Sequence, residues 1–329
     1  MKKYISMMLA VVMAVFCLSA CGQSSSTDST ENPAQTEPAV TEESTTNPTE
    51  EASADKLKIV TTIFPEYDWV RQIAGDQISN MELTMLLDNG VDLHSYQPTA
   101  DDIMKISDCD IFVYVGGESD EWVEDALKEA VNKDMQVINL LEVLGDSVKT
   151  EEMMEGMQET EHDHEHEEKA DEHVWLSLKN AQTLSNAIAS ALETADPANK
   201  ETYAANAASY VEKLAALDTQ YQEAVNNASQ KTLLFGDRFP FRYLVDDYGL
   251  SYYAAFAGCS AESEASFETI SFLAQKVDEL GLKNVLTIEK SDQKITKTII
   301  ENTRDKNQNI LTLDSMQSTT SDDVANGTT

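Results

Sequence analysis

The sequence is short of positive charge. Its 329 residues hold 23 Lys and Arg against 59 Asp and Glu, a formal net charge of −36. Nucleic-acid binding relies on Lys and Arg to neutralise phosphates, so that partner class is excluded. The acid excess suits attraction of cations, although a solvated acidic surface is its commoner meaning. Catalytic signatures are missing too: there is no HExxH, no GxSxG and no obvious general base paired with a histidine. A zinc hydrolase, which would need an open coordination position and such a base, is therefore disfavoured and no enzyme is expected. Cysteine is scarce, at four residues. Only Cys21, Cys109 and Cys259 remain once an export signal is removed. An oxidising compartment would permit a Cys109–Cys259 disulfide. The two lie far apart in sequence, in different lobes on the reading below, so two separately buried thiols are expected. No apolar run is long: the stretch from Tyr4 to Ala20 falls short of the roughly 20 residues that span a bilayer.

That stretch follows two lysines and ends in small residues, which describes an export signal over residues 1–20. Leu18-Ser19-Ala20-Cys21 resembles the lipobox of bacterial lipoproteins, which implies cleavage before Cys21 and lipid attachment to its sulfur. The expected location is the cell membrane, lipid-anchored on its extracytoplasmic face. Residues 21–55 are Ser, Thr, Glu and Pro with almost nothing large and apolar, too little to offset ordering entropy, so a disordered tether is expected. The remainder, 56–329, is long enough for two lobes.

From there the pattern alternates. Strand-like runs cover 56–64, 81–88, 110–117 and 135–142, with helical spacing over 67–75, 98–110 and 121–131. Residues 150–172 break both periods. Residues 199–229 then carry Tyr203, Ala207, Tyr210, Leu214, Leu217 and Tyr221 on one helical stripe. Strands at 231–237, 250–258, 284–289 and 309–315 alternate with helices at 241–249, 266–281 and 294–306. Such alternation predicts an α/β fold: two lobes with central, mostly parallel sheets flanked by helices, bridged by one long rigid helix. The expected boundaries are an N-terminal lobe over 56–195 including the His-rich loop 150–172, a linking helix over 196–229 and a C-terminal lobe over 230–329. The cleft between lobes is the expected ligand site.

Ligands of parallel sheets gather beyond the carboxyl ends of strands. His94, Asp237 and Glu289 fall at such positions, and His173 follows the irregular loop. Imidazole nitrogens with carboxylate oxygens suit zinc and tolerate manganese or iron. On local sequence alone, a histidine beside Trp175 reads more readily as a packed core residue than as a ligand. Glu262 and Glu264 are expected near the positive end of the following helix.

Three stretches, LLDNGVDLHSYQPTADDIMKISDCDIFVYVGG, DEHVWLSLKNAQTLSNAI and LETADPANKETYAANAASYVEKLAALD, closely resemble the metal-binding receptors of bacterial zinc and manganese ABC importers. The resemblance covers about 56–329 and implies two α/β lobes bridged by a long helix, with the metal in the cleft. By position His94 matches the family's first ligand and His173 its second. The third, usually His or Glu, stands five residues before the tyrosine of the next helix. Counting back from Tyr243 reaches Arg238, which cannot coordinate a cation. Asp237 or water would take its place, or Arg238 would pair with a carboxylate such as Glu66 or Glu289. Glu289 matches the fourth position approximately. The resemblance therefore implies a metal site of His94, His173 and Glu289, with Asp237 as substitute. The family normally continues into a final helix beyond NGTT.

In zinc-specific members a flexible His- and acid-rich loop precedes the second ligand. His162, His164 and His166, in HDHEHEE, are accordingly expected as auxiliary, low-affinity metal collectors; the alternative is a merely solvated acidic loop. The implied function is a monomeric, lipid-anchored receptor that captures Zn²⁺ as transported ligand and delivers it to an ABC permease. A manganese (Mn²⁺) or iron receptor, or an adhesin of this fold that has lost tight metal binding, are the alternatives.

Overall fold

Ile59, Val60 and Thr61 are all buried in β1 (Leu57–Thr61), the continuous run that a parallel strand covered on both faces requires. The computed structural model describes residues 56–158, 169–260 and 264–327. The expected signal, tether, Cys21, His162, His164, His166 and Glu262 lie outside the described residues. After β1 the chain turns at once into α1 (Phe64–Ala74), earlier than the apolar spacing over 67–75 predicts. The reason is Glu66, whose carboxylate turns back to accept the N–H of Thr62 at 2.7 Å and of Ile63 at 3.2 Å. Next come β2 (Met81–Met85), α2 (Ala100–Asp108), β3 (Ile111–Tyr114), α3 (Trp122–Lys128), β4 (Gln136–Asn139) and α4 (Leu140–Leu144). The four strands form one parallel sheet in the order β2-β1-β3-β4.

Two helices follow, α5 (Leu178–Ala195) and α6 (Lys200–Asn227). Ser177 caps α5 through its side chain, which accepts from the N–H of Asn180. The 28 residues of α6 extend about 42 Å at 1.5 Å per residue. Its expected stripe is buried only in part. Tyr203, Ala207 and Leu214 are covered, where α1 and α5 pack, whereas Leu217 and Tyr221 are partly open to solvent. Beyond the shelter of α1 and α5, Tyr221 stacks instead on Tyr248, with ring centroids 5.5 Å apart.

The second half contains β5 (Thr232–Phe239), α7 (Arg242–Tyr248), β6 (Ser251–Ala257), α8 (Phe267–Leu280), β7 (Asn284–Thr287), α9 (Lys294–Glu301), β8 (Asn309–Thr312) and α10 (Ser321–Ala325). Its strands are again parallel, in the order β6-β5-β7-β8, the same permutation as the first sheet. In both sheets the chain starts on an inner strand, steps outward on one side and then crosses to the other. That leaves a switch point at the carboxyl ends of β1 and β3, and of β5 and β7, where loops diverge and ligands bind.

The strand expected to end at Asp237 continues to Phe239, with its pairing to β6 shifting register between Phe235 and Arg238. Asp237 and Arg238 therefore sit inside β5 rather than in the loop after it. One buried cluster runs from the first sheet, α1 and α5 into Phe235, Phe239, Phe241, Tyr243 and Tyr252, so the two halves share apolar packing. A second cluster, including Leu234, Phe256, Leu273 and Ile299, belongs to the second half alone. Cys109 is a buried free thiol and Cys259 a half-buried one, as expected of unpaired cysteines.

Candidate metal centre

His94 lies in the short turn Leu93–Ser95 that follows β2, with Asp92 accepting its backbone N–H at 3.0 Å. His173 precedes the buried turn Val174–Leu176 and is itself fully buried. The two rings meet with Nε2 facing Nε2 at 3.1 Å. Each Nδ1 faces away from this meeting point toward an oxygen. His173 Nδ1 stands 2.9 Å from Asp171 Oδ1, which also accepts the His173 backbone N–H at 2.9 Å. His94 Nδ1 lies 2.8 Å from Ser119 Oγ and 3.3 Å from a Glu172 oxygen. Oxygen partners on Nδ1 favour the tautomer whose lone pair is on Nε2, the state that binds a metal. Two nitrogens about 2.0–2.1 Å from a tetrahedral zinc stand about 3.3–3.4 Å apart. The observed pair is already near that spacing.

A third donor closes on the pair. Among the described residues, His94, His173 and Cys259 form a group whose ligand atoms all lie within 4.8 Å of one another. Cys259 sits just past β6, its N–H donating to Glu151 Oε1 at 2.8 Å. Burial pushes its thiol well above the ordinary range, and the charges of Glu151, Asp171 and Glu172 add to this. The preceding residue must be glycine: a Cβ on Gly258 would lie 2.9 Å from the Phe239 carbonyl oxygen and 3.0 Å from His173 Cε1.

Carboxylates surround the group. Glu172 also accepts the Ser119 N–H at 2.9 Å. Burial raises its pKa, but the hydrogen bonds from His94 and Ser119 outweigh burial and hold the carboxyl below its usual value. Behind it Asp120 accepts the Gly116 N–H at 2.9 Å, and burial pushes its carboxyl up to about 7. A pocket of 170 Å³ opens beside the donors, lined by His94, Ser119, Glu151, Lys169, Glu172 and Cys259 among others.

Thr150 and Ala170, which stand on either side of the three further histidines in the sequence, meet beside this pocket. Thr150 pairs with Ala170 in an antiparallel bridge, flanked by Glu151 N–H to Lys169 O at 2.9 Å and Asp171 N–H to Lys149 O at 2.8 Å. Tyr243 clamps the neck: its hydroxyl donates to Asp171 O and accepts the Lys149 N–H, each at 2.9 Å.

The other expected ligands, Asp237 and Glu289, fall outside that three-residue group among the described residues. Asp237 accepts the Thr287 hydroxyl at 2.6 Å, tying β5 to β7, and takes the Arg238 N–H on its other oxygen at 2.9 Å. Glu289 accepts Ser315 N–H at 2.9 Å, Ser315 Oγ at 2.6 Å and Ser318 Oγ at 3.3 Å. Trp175, whose ring lies against His173, donates Nε1–H to Ser315 O at 2.7 Å. Glu289 thereby braces the loop that supports the His173 turn. Arg238 pairs with Asp92 rather than with Glu66 or Glu289. That ion pair and the Arg238 hydrogen bond outweigh burial and hold the Asp92 carboxyl below its ordinary value. Asp237, Arg238 and Glu289 line a separate, larger cavity of 420 Å³.

Cys259 is the residue that sequence reasoning missed. GCSAES carries no ligand spacing, and Cys259 reaches the histidines only because β6 runs beside β5 and delivers its carboxyl end there.

Comparison with known proteins adds relatives. The family model described as ZnuA, zinc-uptake complex component A periplasmic, matches residues 59–328. The zinc-binding lipoprotein AdcA of Streptococcus pneumoniae is 35% identical over 249 residues, covering 74% of this chain and 47% of AdcA. The chain thus spans about half the length of that relative. The high-affinity zinc uptake system protein ZnuA of Bacillus subtilis is 30% identical over 283 residues, covering 83% of each. The crystal structure of the Zn(II)-bound ZnuA-like domain of S. pneumoniae AdcA superposes with a TM-score of 0.64 at 30% identity, covering 83% of this chain and 92% of that one.

Proposed function

We propose that this chain, which belongs to the ZnuA family of zinc-uptake complex components, is an extracytoplasmic receptor that captures Zn²⁺ and delivers it to the permease of an ABC importer. The observation that carries the reading is the convergence of His94 Nε2 and His173 Nε2 at 3.1 Å, each ring held from behind by oxygen partners. Two neutral imidazoles facing each other nitrogen to nitrogen hydrogen-bond only if one takes the Nε2–H tautomer, which the oxygen partners on both Nδ1 atoms disfavour. The same arrangement is near the spacing of two ligands on one cation. Zinc-binding relatives at 30–35% identity, one of them covered over most of its length, support the choice of metal.

In this reading His94 and His173 are ligands, and capture makes and breaks no covalent bond in a substrate, so the protein is not an enzyme. Residues 56–195 and 230–329 act as the two lobes, linked through α6. His162, His164 and His166 gather zinc at low affinity and pass it through the neck at Thr150 and Ala170 to the pocket. A lipid on Cys21 holds a monomer at the membrane, with the metal site presented to the permease. Glu289 and Asp237 act by bracing the loops beside the site.

Native mass spectrometry of the chain titrated with Zn²⁺ and with Mn²⁺, beside His94→Ala, tests the reading. One tightly held zinc ion, preferred over manganese and lost in the variant, is expected. Equal retention in the variant rejects it.

A further inference from the structure

Arg238 occupies the place where a third ligand is expected, and its guanidinium is engaged by Asp92. Just past the neighbouring strand β6 stands another donor, Cys259. We propose that the Cys259 sulfur, as a thiolate, is the third metal ligand, making a His94–His173–Cys259 site that selects zinc over manganese. The inference rests on the receptor reading above and names the chemistry of its site.

Three observations independent of that reading carry it. The Cys259 ligand atom already lies within 4.8 Å of the ring nitrogens of both histidines. With Zn–N near 2.0–2.1 Å and Zn–S near 2.3 Å, a tetrahedral ion needs nitrogen-to-sulfur separations of about 3.6 Å, so only a small closure is required. The backbone leading into Cys259 is constrained: Gly258 fits against His173 only because it lacks a Cβ, and the Cys259 N–H is held by Glu151 at 2.8 Å. Finally, Asp171, Glu172 and Glu151 stand around the three donors, a concentration of negative charge that a divalent cation would offset.

The donor set fixes the preference. Imidazole and thiolate suit zinc, whereas manganese prefers carboxylate, carbonyl and water oxygens. Binding releases the thiol proton to solvent and forms the Zn–S bond, with no change in oxidation state. Three protein ligands leave one position facing the 170 Å³ pocket, where an incoming donor could exchange the ion during uptake or release.

The test is Co²⁺ substitution of the full chain, followed by electronic absorption, in wild type, Cys259→Ser, Cys109→Ser and His94→Ala. A thiolate-to-cobalt charge-transfer band in the near ultraviolet is expected in wild type and Cys109→Ser, and absent from Cys259→Ser. Zinc affinity of Cys259→Ser should fall by more than the roughly 10- to 100-fold typical of losing an outer-shell partner. Should Cys259→Ser fail to fold, alkylation of the wild-type chain decides: one equivalent of zinc should protect Cys259 from iodoacetamide. Metal bound through His94 with no thiolate band and no protection overturns the inference and leaves the receptor reading standing. Absence of any tight site dependent on His94 overturns both.

Discussion

His94 and His173, 79 positions apart in the chain, face each other through Nε2 atoms separated by 3.1 Å. Their outer nitrogens are fixed by Ser119 on one side and Asp171 on the other. The relationship makes Asp171 a positioning residue: it accepts from both the ring and the backbone of His173. Asp171→Asn should weaken zinc binding by about 10- to 100-fold while leaving the fold intact. Zinc titration calorimetry checks this, with circular dichroism reporting the fold; unchanged affinity would show that His173 is oriented by packing alone.

Gly258 packs its backbone against the same ring. Gly258→Ala places a Cβ 3.0 Å from His173 Cε1 and 2.9 Å from the Phe239 carbonyl. Overpacking of this kind costs about 1–3 kcal/mol. Chemical denaturation should show that loss, and zinc affinity should fall with it. A variant as stable and as tight as wild type would mean that β6 shifts freely.

Asp120 makes the stability of the metal-free protein depend on pH. Its unfolded pKa is near 3.9, and in the fold burial raises it to about 7 against the pull of the Gly116 N–H. The fold therefore binds this proton more tightly than the unfolded chain does. The stabilisation is fully present below about pH 4 and is lost as pH rises through about 7. Asp120→Asn keeps an acceptor for Gly116 without the charge. Its melting temperature should exceed that of wild type by more at pH 8 than at pH 5, and parallel curves would refute the assignment.

Glu289 separates support from ligation. It holds Ser315, whose carbonyl accepts from Trp175 beside His173. Glu289→Gln should lower stability by about 1–3 kcal/mol through the loss of charge-assisted hydrogen bonds and leave zinc bound through His94. Loss of zinc binding equal to that of His94→Ala would make Glu289 a ligand instead.

The order of elements was legible in the sequence, because the alternation of strand-like and helical runs is dictated locally. His94 and His173 were singled out by the resemblance of the blocks around LHSYQP and EHVWL to metal receptors, since local chemistry alone left His173 as a core residue. What the sequence hid depends on contacts made across the sheets. Asp92 and Arg238 are 146 positions apart, and nothing near Arg238 names its partner. Asp237 and Glu289 had the residue types of ligands, yet the register shift in β5 and the 315–318 loop engage them elsewhere. Cys259 lacked any motif, since its role follows from the pairing of β6 with β5. The exposed end of the α6 stripe was invisible for the same reason: spacing shows a face but not how far its cover extends.

The central claim is that the facing imidazoles of His94 and His173 hold the transported ion. It is tested most directly by zinc titration calorimetry of the full chain in parallel with His94→Ala and His173→Ala. The account predicts one tight site in wild type, absent from both variants, with only weak binding left. A tight site of unchanged affinity in either variant would contradict it.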